Sequence, residues 1–340
     1  MKNSIYTIRL ARKDEYDSLR SFLKEYWGEN HVLVKNKEIF DFQYLMGDEY
    51  NIVIAYNNQT NAIDVFWGLV TTSRYDNALL PNGDSWGAVV KVRTDVVNDE
   101  IGGISMKMLR WILKQPQFTN FNHSGLGPKG KAFLAPYCAT SGPLKQYYIA
   151  NSCFSEYKIA EKPVIKEYQD DGFELNRVEL DELTVLPAST YKPVKTLTYI
   201  ENRYQKHPFY KYFAWQITKD GEVKSIWILR KIILPEMGSV LRVVDVIGNV
   251  ENLGCIGCQI QEQLKTESCE YVDFLNFGIS PETFKKMGFE VLDVDGETII
   301  PQYFEPFERR NVVIYGGLDS DNQGYVIFKG DGDQDRPNIL

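Results

Sequence analysis

The chain has 340 residues, 44% hydrophobic, 25% charged and 13% aromatic, a composition that packs an ordinary globular core and excludes disordered, collagenous and coiled-coil classes. With 46 acidic residues against 38 basic ones the net charge is −8, which argues against nucleic acid as a partner, since that affinity comes from a basic face neutralising phosphates. No apolar run is long enough to cross a bilayer, and Arg9, Arg12 and Lys13 stand where a signal peptide would carry its apolar core, so a cytoplasmic protein without a membrane partner is expected. Five cysteines are sparse and odd in number, which fits a reducing compartment rather than a disulfide framework.

In chain order, YTIRLA alternates as a strand, and DEYDSLRSFLKEYWG follows as a helix with Leu19, Phe22, Leu23 and Tyr26 on one face. NIVIAYNNQTNAIDVFWGLVTTS reads as two strands around a polar turn, and SWGAVVKVRTDVV as a longer strand after the turn-rich LPNGD. NDEIGGISMKMLRWILKQ predicts a capped helix with a glycine pair in its first turn. Short strands are expected over 118–127 and 143–151. After a polar segment the plan repeats: a helix and a hairpin turning at Lys219-Asp220-Gly221, a strand in GSVLRVVDVIG, a helix in NVENLGCIGCQIQEQLKTE and a strand in YVDFLNFGI. SPETFKKMGF is a capped helix ending at Gly288, and NVVIYGG a closing strand. A fixed offset lays Val92 on Val243, Asn98 on Asn249, Glu100 on Glu251 and Gly103 on Gly254, which predicts an internal duplication. The expected organisation is an N-terminal lobe over 1–155, a linker over 156–190, a C-terminal lobe over 191–318 and a polar tail over 319–340. Each lobe is expected to carry its own sheet.

The order strand, cap, glycine-containing first turn, strand, and helix ending in Phe-x-x-Met-Gly-Phe resembles the GNAT superfamily of acyl-CoA-dependent N-acyltransferases. Its pyrophosphate pattern is Gln/Arg-x-x-Gly-x-Gly/Ala. The first copy here is Glu100-Ile101-Gly102-Gly103-Ile104-Ser105 and the second Glu251-Asn252-Leu253-Gly254-Cys255-Ile256. Both lack the leading basic or amide residue, and the second puts Ile256 where a small residue lets backbone amides reach phosphate. The later signature stands in Phe284-Lys285-Lys286-Met287-Gly288-Phe289 and is eroded in Phe133-Leu134-Ala135-Pro136-Tyr137-Cys138. The resemblance spans most of residues 5–315. More narrowly, the chain is similar to tandem-GNAT sugar N-acyltransferases of bacterial surface-polysaccharide clusters (O-antigen, capsule, lipopolysaccharide), which acylate nucleotide-linked amino sugars such as dTDP-3-amino-3,6-dideoxyhexoses. It implies an α/β fold of two GNAT-like lobes, each a mixed, mostly antiparallel sheet flanked by helices. It also implies acyl-CoA as co-substrate, an acetyl or short hydroxyacyl group transferred to the sugar amine, and no metal; a homodimer is left open.

Residue by residue, the donor site is expected on the amides of Gly102, Gly103, Ile104, Ser105 and Met106, because a helix N-terminus without large side chains offers free N–H groups and the positive end of the macrodipole. The competing reading is that the glycines only permit close strand–helix packing. Pantetheine is expected along Lys91, Val92 and Arg93. For the base, His123 suits neutral pH through its ordinary pKa near 6.5, with Asp245 acting through a water as the alternative. Tyr137 or Tyr148 is expected as the acid. The acceptor is expected against Arg203, Tyr204, His207, Phe209 and Tyr210, where an arginine can fork to a diphosphate and rings can stack on a base or hexose, with Arg242 and Asn276 beside them. An amphipathic helix with a solvated charged face explains the same run, and Asp245 is equally a turn residue or a ligand to the sugar.

Two motifs read as inert: Cys255 and Cys258 lack further zinc ligands, and the calcium-like start at Asp319 has Gly330 where a bidentate Glu is required. A catalytically silent tandem GNAT domain that binds acyl-CoA or nucleotide, and aminoacyl transfer from charged tRNA, are the other readings; net −8 sits poorly with the last.

Overall fold

The computed structural model describes residues 4–80, 83–118, 120–319 and 324–338; Ser320, Asp321, Asn322 and Gln323 of the calcium-like run lie outside the described residues. The first half comprises β1 (Tyr6–Arg12), α1 (Tyr16–Tyr26), α2 (Val32–Lys35), α3 (Lys37–Tyr44), β2 (Leu45–Met46), β3 (Glu49–Asn57), β4 (Ala62–Thr71), β5 (Asp84–Val92), α4 (Ile104–Ile112), β6 (Asn120–Leu126), α5 (Pro128–Leu134) and β7 (Thr140–Ala150). The second comprises β8 (Glu174–Val178), α6 (Leu197–Ile200), β9 (Tyr212–Lys219), β10 (Glu222–Leu234), β11 (Gly238–Ile247), α7 (Gly257–Thr266), β12 (Tyr271–Phe277), α8 (Pro281–Met287), β13 (Glu290–Val291), β14 (Tyr303–Phe304), β15 (Phe307–Glu308), β16 (Ile314–Leu318) and β17 (Ile327–Phe328). Local chemistry sets the boundaries as expected: α8 opens on the Ser280 side-chain cap with Pro281 behind it and closes at Gly288, whose φ of 104° favours glycine.

Hydrogen bonds join both halves into one sheet, in the order β1-β3-β4-β5-β6-β16-β7-β12-β11-β10-β9-β8. The expectation of one sheet per lobe with a break near residue 155 is therefore corrected. β7, read as part of the first lobe, pairs with β12 from Lys145 opposite Asn276 to Ala150 opposite Tyr271. β16, from the second, lies between β6 and β7. Alternation marks a segment as a strand without naming its partner, so an exchange of closing strands leaves no trace in periodicity. The segment over 156–190 is more than a linker, since β8 pairs with β9. Helices cover both faces. α4 buries Ile104, Met108, Leu109 and Ile112 against Trp67 and Phe121, and α7 buries Ile260 and Leu264 against Val243 and Phe274. α1 and α3 pack Phe22, Phe40 and Tyr44 with Phe66 on the opposite face.

The last segment is not a solvated tail. Val326, Ile327, Phe328, Lys329, Asp331 and Asp335 are buried, and β17 extends the β11 side of β12, Phe328 opposite Asn276. Its acidic residues meet internal cations: Lys195 pairs with Asp245 and lies 3.2 Å from Asp331, while Arg230 is 2.8 Å from Asp335 and Arg336 3.1 Å from Asp333. Removing one partner from a buried ion group leaves an uncompensated charge. Lys195→Met should therefore cost about 3–5 kcal/mol in denaturant unfolding, and a loss below about 1 kcal/mol, the range of surface pairs, would show that the triad does not hold the segment.

Candidate active site: an open gap and a filled one

β5 and β6 run parallel from Asp84 beside Asn120 to Gly87 beside His123 and then part. β6 continues along β16, whereas β5 runs on to Val92 with β4 on its other side. The divergence has a local cause. Leu69 faces Gly87 and Trp67 faces Val90, so Ala88 and Val89 both stand opposite Gly68, and such a bulge bends and twists its strand. Beyond it Val90 is exposed and Ala88, Lys91 and Val92 are half-buried. The backbone edge facing the gap can therefore pair with an extended ligand as a strand would.

The chain leaves β5 at Val92 and, eight residues later, enters the helical turn Ile101–Gly103 that runs on into α4, with Asn98 and Glu100 tied to Tyr6, Ile5 and Ser4 at the start of β1. The Asn98 side chain accepts from the amides of Glu100 and Ile101, and no side chain caps α4 itself. A Cβ on Gly102 or Gly103 would meet nothing within 4 Å. Glu100, the acid at the head of the motif, is engaged by Lys107, the Ile5 amide and Ser4, which hold its pKa down to about 2. Its charge is met by these partners.

The second half repeats the geometry with the space occupied. β11 and β12 run parallel from Leu241 beside Val272 to Val243 beside Phe274, and a register shift at Val244 begins the divergence. Here β17 fills the gap, and the Gly330 amide donates to the Val244 carbonyl at 2.6 Å. At the start of α7 the Asp171 carboxylate accepts from the Cys255 amide at 2.6 Å, and Tyr168 lies against Gly257. A protein carboxylate thus sits where α7 would hold an anion. The asymmetry was expected from the bulk of Ile256, but Ile256 is fully buried in the α7 core; Asp171 and β17 fill the space instead.

No family model and no curated protein matches the chain. Among solved structures, a GCN5-related N-acetyltransferase from Anabaena variabilis ATCC 29413 superposes with a TM-score of 0.51 at 10% identity, over 85% of this chain and 70% of that one. A conserved protein of unknown function from Enterococcus faecalis V583, described as a probable N-acyltransferase, gives 0.51 at 10% identity over 92% and 72%. The fold is the GNAT fold. At this identity the likeness is one of architecture.

Within the GNAT fold the expected donor residues fall together in the first half, with one shift along β5. The free edge begins at Ala88, and Arg93 belongs to the other neighbour: its amide bonds the Asp64 carbonyl and its guanidinium pairs with Asp64 and Asp95. Ala88 and Val90 lie on the same stretch of β5, and residue types alone do not distinguish an unpaired strand edge from a paired one. Tyr137 is exposed with its hydroxyl 3.4 Å from Met106 Sδ, over the first turn of α4. Tyr148 is elsewhere, in β7 opposite Asp273, its hydroxyl accepting from the Val164 amide. His123 does stand where the strands part, with its ring 4.5 Å from that of Phe121 and its Nδ1 unpartnered. Burial lowers its pKa to about 4, so the ordinary imidazole pKa on which its role as base rested is not the one the fold gives it.

The expected acceptor residues are mostly committed to internal bonds. Asp245 accepts from Lys195, the Tyr204 hydroxyl and the Val246 amide. It has no free role as base or sugar ligand. Arg203 donates to the Tyr75 hydroxyl and the carbonyls of Gly330 and Gly332, and is therefore unavailable to a diphosphate. His207 Nδ1 accepts from the amides of Phe209 and Tyr210. Arg242 forks to Asp273, and Asn276 bonds the Ile327 carbonyl and the Ile279 amide. Tyr210 donates to Glu305, and of the five residues expected there Phe209 alone is exposed.

The chain's three histidines are all held below the usual imidazole pKa, His31 and His123 at about 4 and His207 at about 3, chiefly by burial. As pH falls the unfolded chain takes up their protons first. Stability is therefore complete above the unfolded pKa near 6.5 and declines below it, by roughly 1.4 kcal/mol per pH unit for each histidine, until the folded values are reached. Urea unfolding between about pH 7.5 and 5 should show this decline. His207→Gln, which keeps an acceptor for the two amides, should reduce the slope by about a third, and an unaltered slope would mean His207 is charged in the fold.

Proposed function

We propose that the protein is an acyl-CoA-dependent N-acyltransferase that takes its donor in the first half alone. The supporting observation is the asymmetry between the halves: among the described residues no strand enters between β5 and β6 past Gly87 and the glycine turn before α4 has open space beside it, whereas β17 and Asp171 stand in the counterparts, leaving a cavity of about 140 Å³ beside Val246, Val326 and Phe328. In this reading the pantetheine lies along Ala88–Val92 as an extra strand, and the pyrophosphate rests on the amides of Gly102 to Met106. A β5 amide polarises the thioester carbonyl and stabilises the tetrahedral oxyanion. The acceptor amine, once deprotonated, attacks that carbonyl; the C–S bond breaks, and the thiolate takes a proton from Tyr137 or from water. Water serves as base in preference to His123, whose lowered pKa makes it a poor proton acceptor.

The finer reading, an acetyl or short hydroxyacyl group passed to the amine of a dTDP-linked amino-dideoxy sugar, rests on the sequence resemblance. The arginine and tyrosines expected to grip the diphosphate are bonded internally. Thiol release from acetyl-CoA, followed across amino-sugar nucleotides and simple amines, tests the transfer; release with none of them returns the silent-domain reading. Gly103→Glu should weaken acetyl-CoA binding at least about tenfold, through bulk and charge against phosphate. Its unfolding midpoint should hardly move, since the new Cβ enters open space. Unchanged acetyl-CoA affinity in this variant would remove α4 from the donor site.

A further inference from the structure

We propose a second binding site, between the C-terminal segment and strands β10 and β11, for a single oxyanion, carboxylate or phosphate, carried by the acceptor. The proposal rests on the reading of the second half as the acceptor side. The site is a small cavity of about 30 Å³ lined by Tyr210, Arg230, Arg242, Tyr303, Lys329 and Arg336, among others. Arg230 and Arg242 are cross-strand partners, and each is matched by a carboxylate, Asp335 and Asp273. Lys329 is matched by none. It is 2% exposed, and among the described residues no hydrogen bond or ion pair meets its ammonium, which stands 5.8 Å from the centre of the Tyr303 ring. Arg336 bonds Asp333 through Nε but keeps Nη1 buried with no acceptor.

Native interiors rarely leave two cationic donors unsatisfied beside one polar cavity, because each costs the desolvation of a charged group. One anion satisfies both. The volume holds about two water-sized groups, which suits the oxygens of one carboxylate or of a phosphate end and is too small for a nucleoside diphosphate. Placement agrees with an acceptor. Gln334, another lining residue, packs on Gly125 of β6, and Gly332 lies against Trp86 of β5, so the segment runs past the point where the donor strands part.

Charge supports the geometry. Burial, aided by Arg242 and Arg230, lowers Lys329 to about 7 against the opposing pull of Asp335 and Asp273. The groups facing it are those two arginines and their carboxylates on β10, β11, β12 and the C-terminal segment, Tyr303 and Glu305 after α8, Tyr210 before β9, and Arg336. A bound anion favours the ammonium, so binding should strengthen as pH falls through this range.

Calorimetric titration at fixed ionic strength tests this with sodium sulfate, whose charge is constant between about pH 6 and 8.5, and with acetate as the carboxylate probe. One sulfate should bind wild type, more tightly at the lower pH, and at least about tenfold more weakly in Lys329→Met with the pH dependence gone. Lys329→Met replaces an unpaired buried charge by an apolar chain and should remain folded; Arg336→Gln should weaken sulfate as well. An aminohexose phosphate that displaces sulfate assigns the anion to the acceptor, and one that fails to compete overturns that assignment. Equal sulfate affinity in wild type and Lys329→Met overturns the site itself. Acetyl-CoA affinity should be unchanged in both variants. Failure of acetyl-CoA to bind wild type would refute the proposed transfer while leaving the sulfate result standing.

Discussion

The Lys195 ammonium, buried between Asp245 of β11 and Asp331 of the C-terminal segment, is the contact on which the rest of the arrangement depends. Three charges taken out of water are tolerable only when they meet one another and find further donors, and here the Tyr204 hydroxyl and the amides of Val246 and Phe328 complete the carboxylates. Burial still pushes Asp331 up to about 6, against the pull of Lys195. With the segment fixed at Asp331, Phe328 can complete the edge of β12, and Gly330 and Gly332 present their carbonyls to Arg203. Arg203 also donates to Tyr75 of the first half. A single buried cluster thus ties the chain's end to both halves.

The same segment explains why two copies of one plan differ. In each half the parallel pair separates after a few residues, and separation leaves backbone amides and carbonyls that need partners. β17 and Gly330 satisfy them in the second half, and Asp171 satisfies the first turn of α7. In the first half β5 keeps no strand partner on its β6 side past Gly87 among the described residues, and the turn leading into α4 carries its own bonds, Gly103 to the Glu100 carbonyl and Ile104 to the Ile101 carbonyl, with open space beside Gly102 and Gly103.

Local elements were legible in the sequence because their causes are local. The α8 cap and stop, the amphipathic α4 and the paired strands follow from residue types at fixed spacing. The glycine pair at the head of the α4 turn was legible for the same reason. What escaped is non-local. The acidic run after residue 319 looks solvated until Lys195 and Arg230, each more than ninety residues distant in sequence, are seen beside Asp331 and Asp335. Arg203, Asp245 and Arg242 carried the right chemistry for a ligand, and internal partners took it, because no sequence pattern says whether a guanidinium will meet a substrate or a backbone carbonyl. The bulge at Ala88 and Val89 bends β5 where its free edge begins, and one inserted residue leaves no mark in a pattern of residue types.

The exchange of closing strands bears on how precisely the gap is held. β6, one wall of the gap, is paired on its far side with β16, so its position is set by a strand supplied from the second half. β7, supplied from the first, does the same for β12. A hinge between the halves would have to break a ladder in the middle of the sheet, where both flanks are hydrogen-bonded. The gap width and the distance from the α4 N-terminus to Lys329 are therefore properties of one rigid sheet. A donor in the first half and an acceptor across from it would meet without domain closure, which places the demand for orientation on the fold rather than on binding energy.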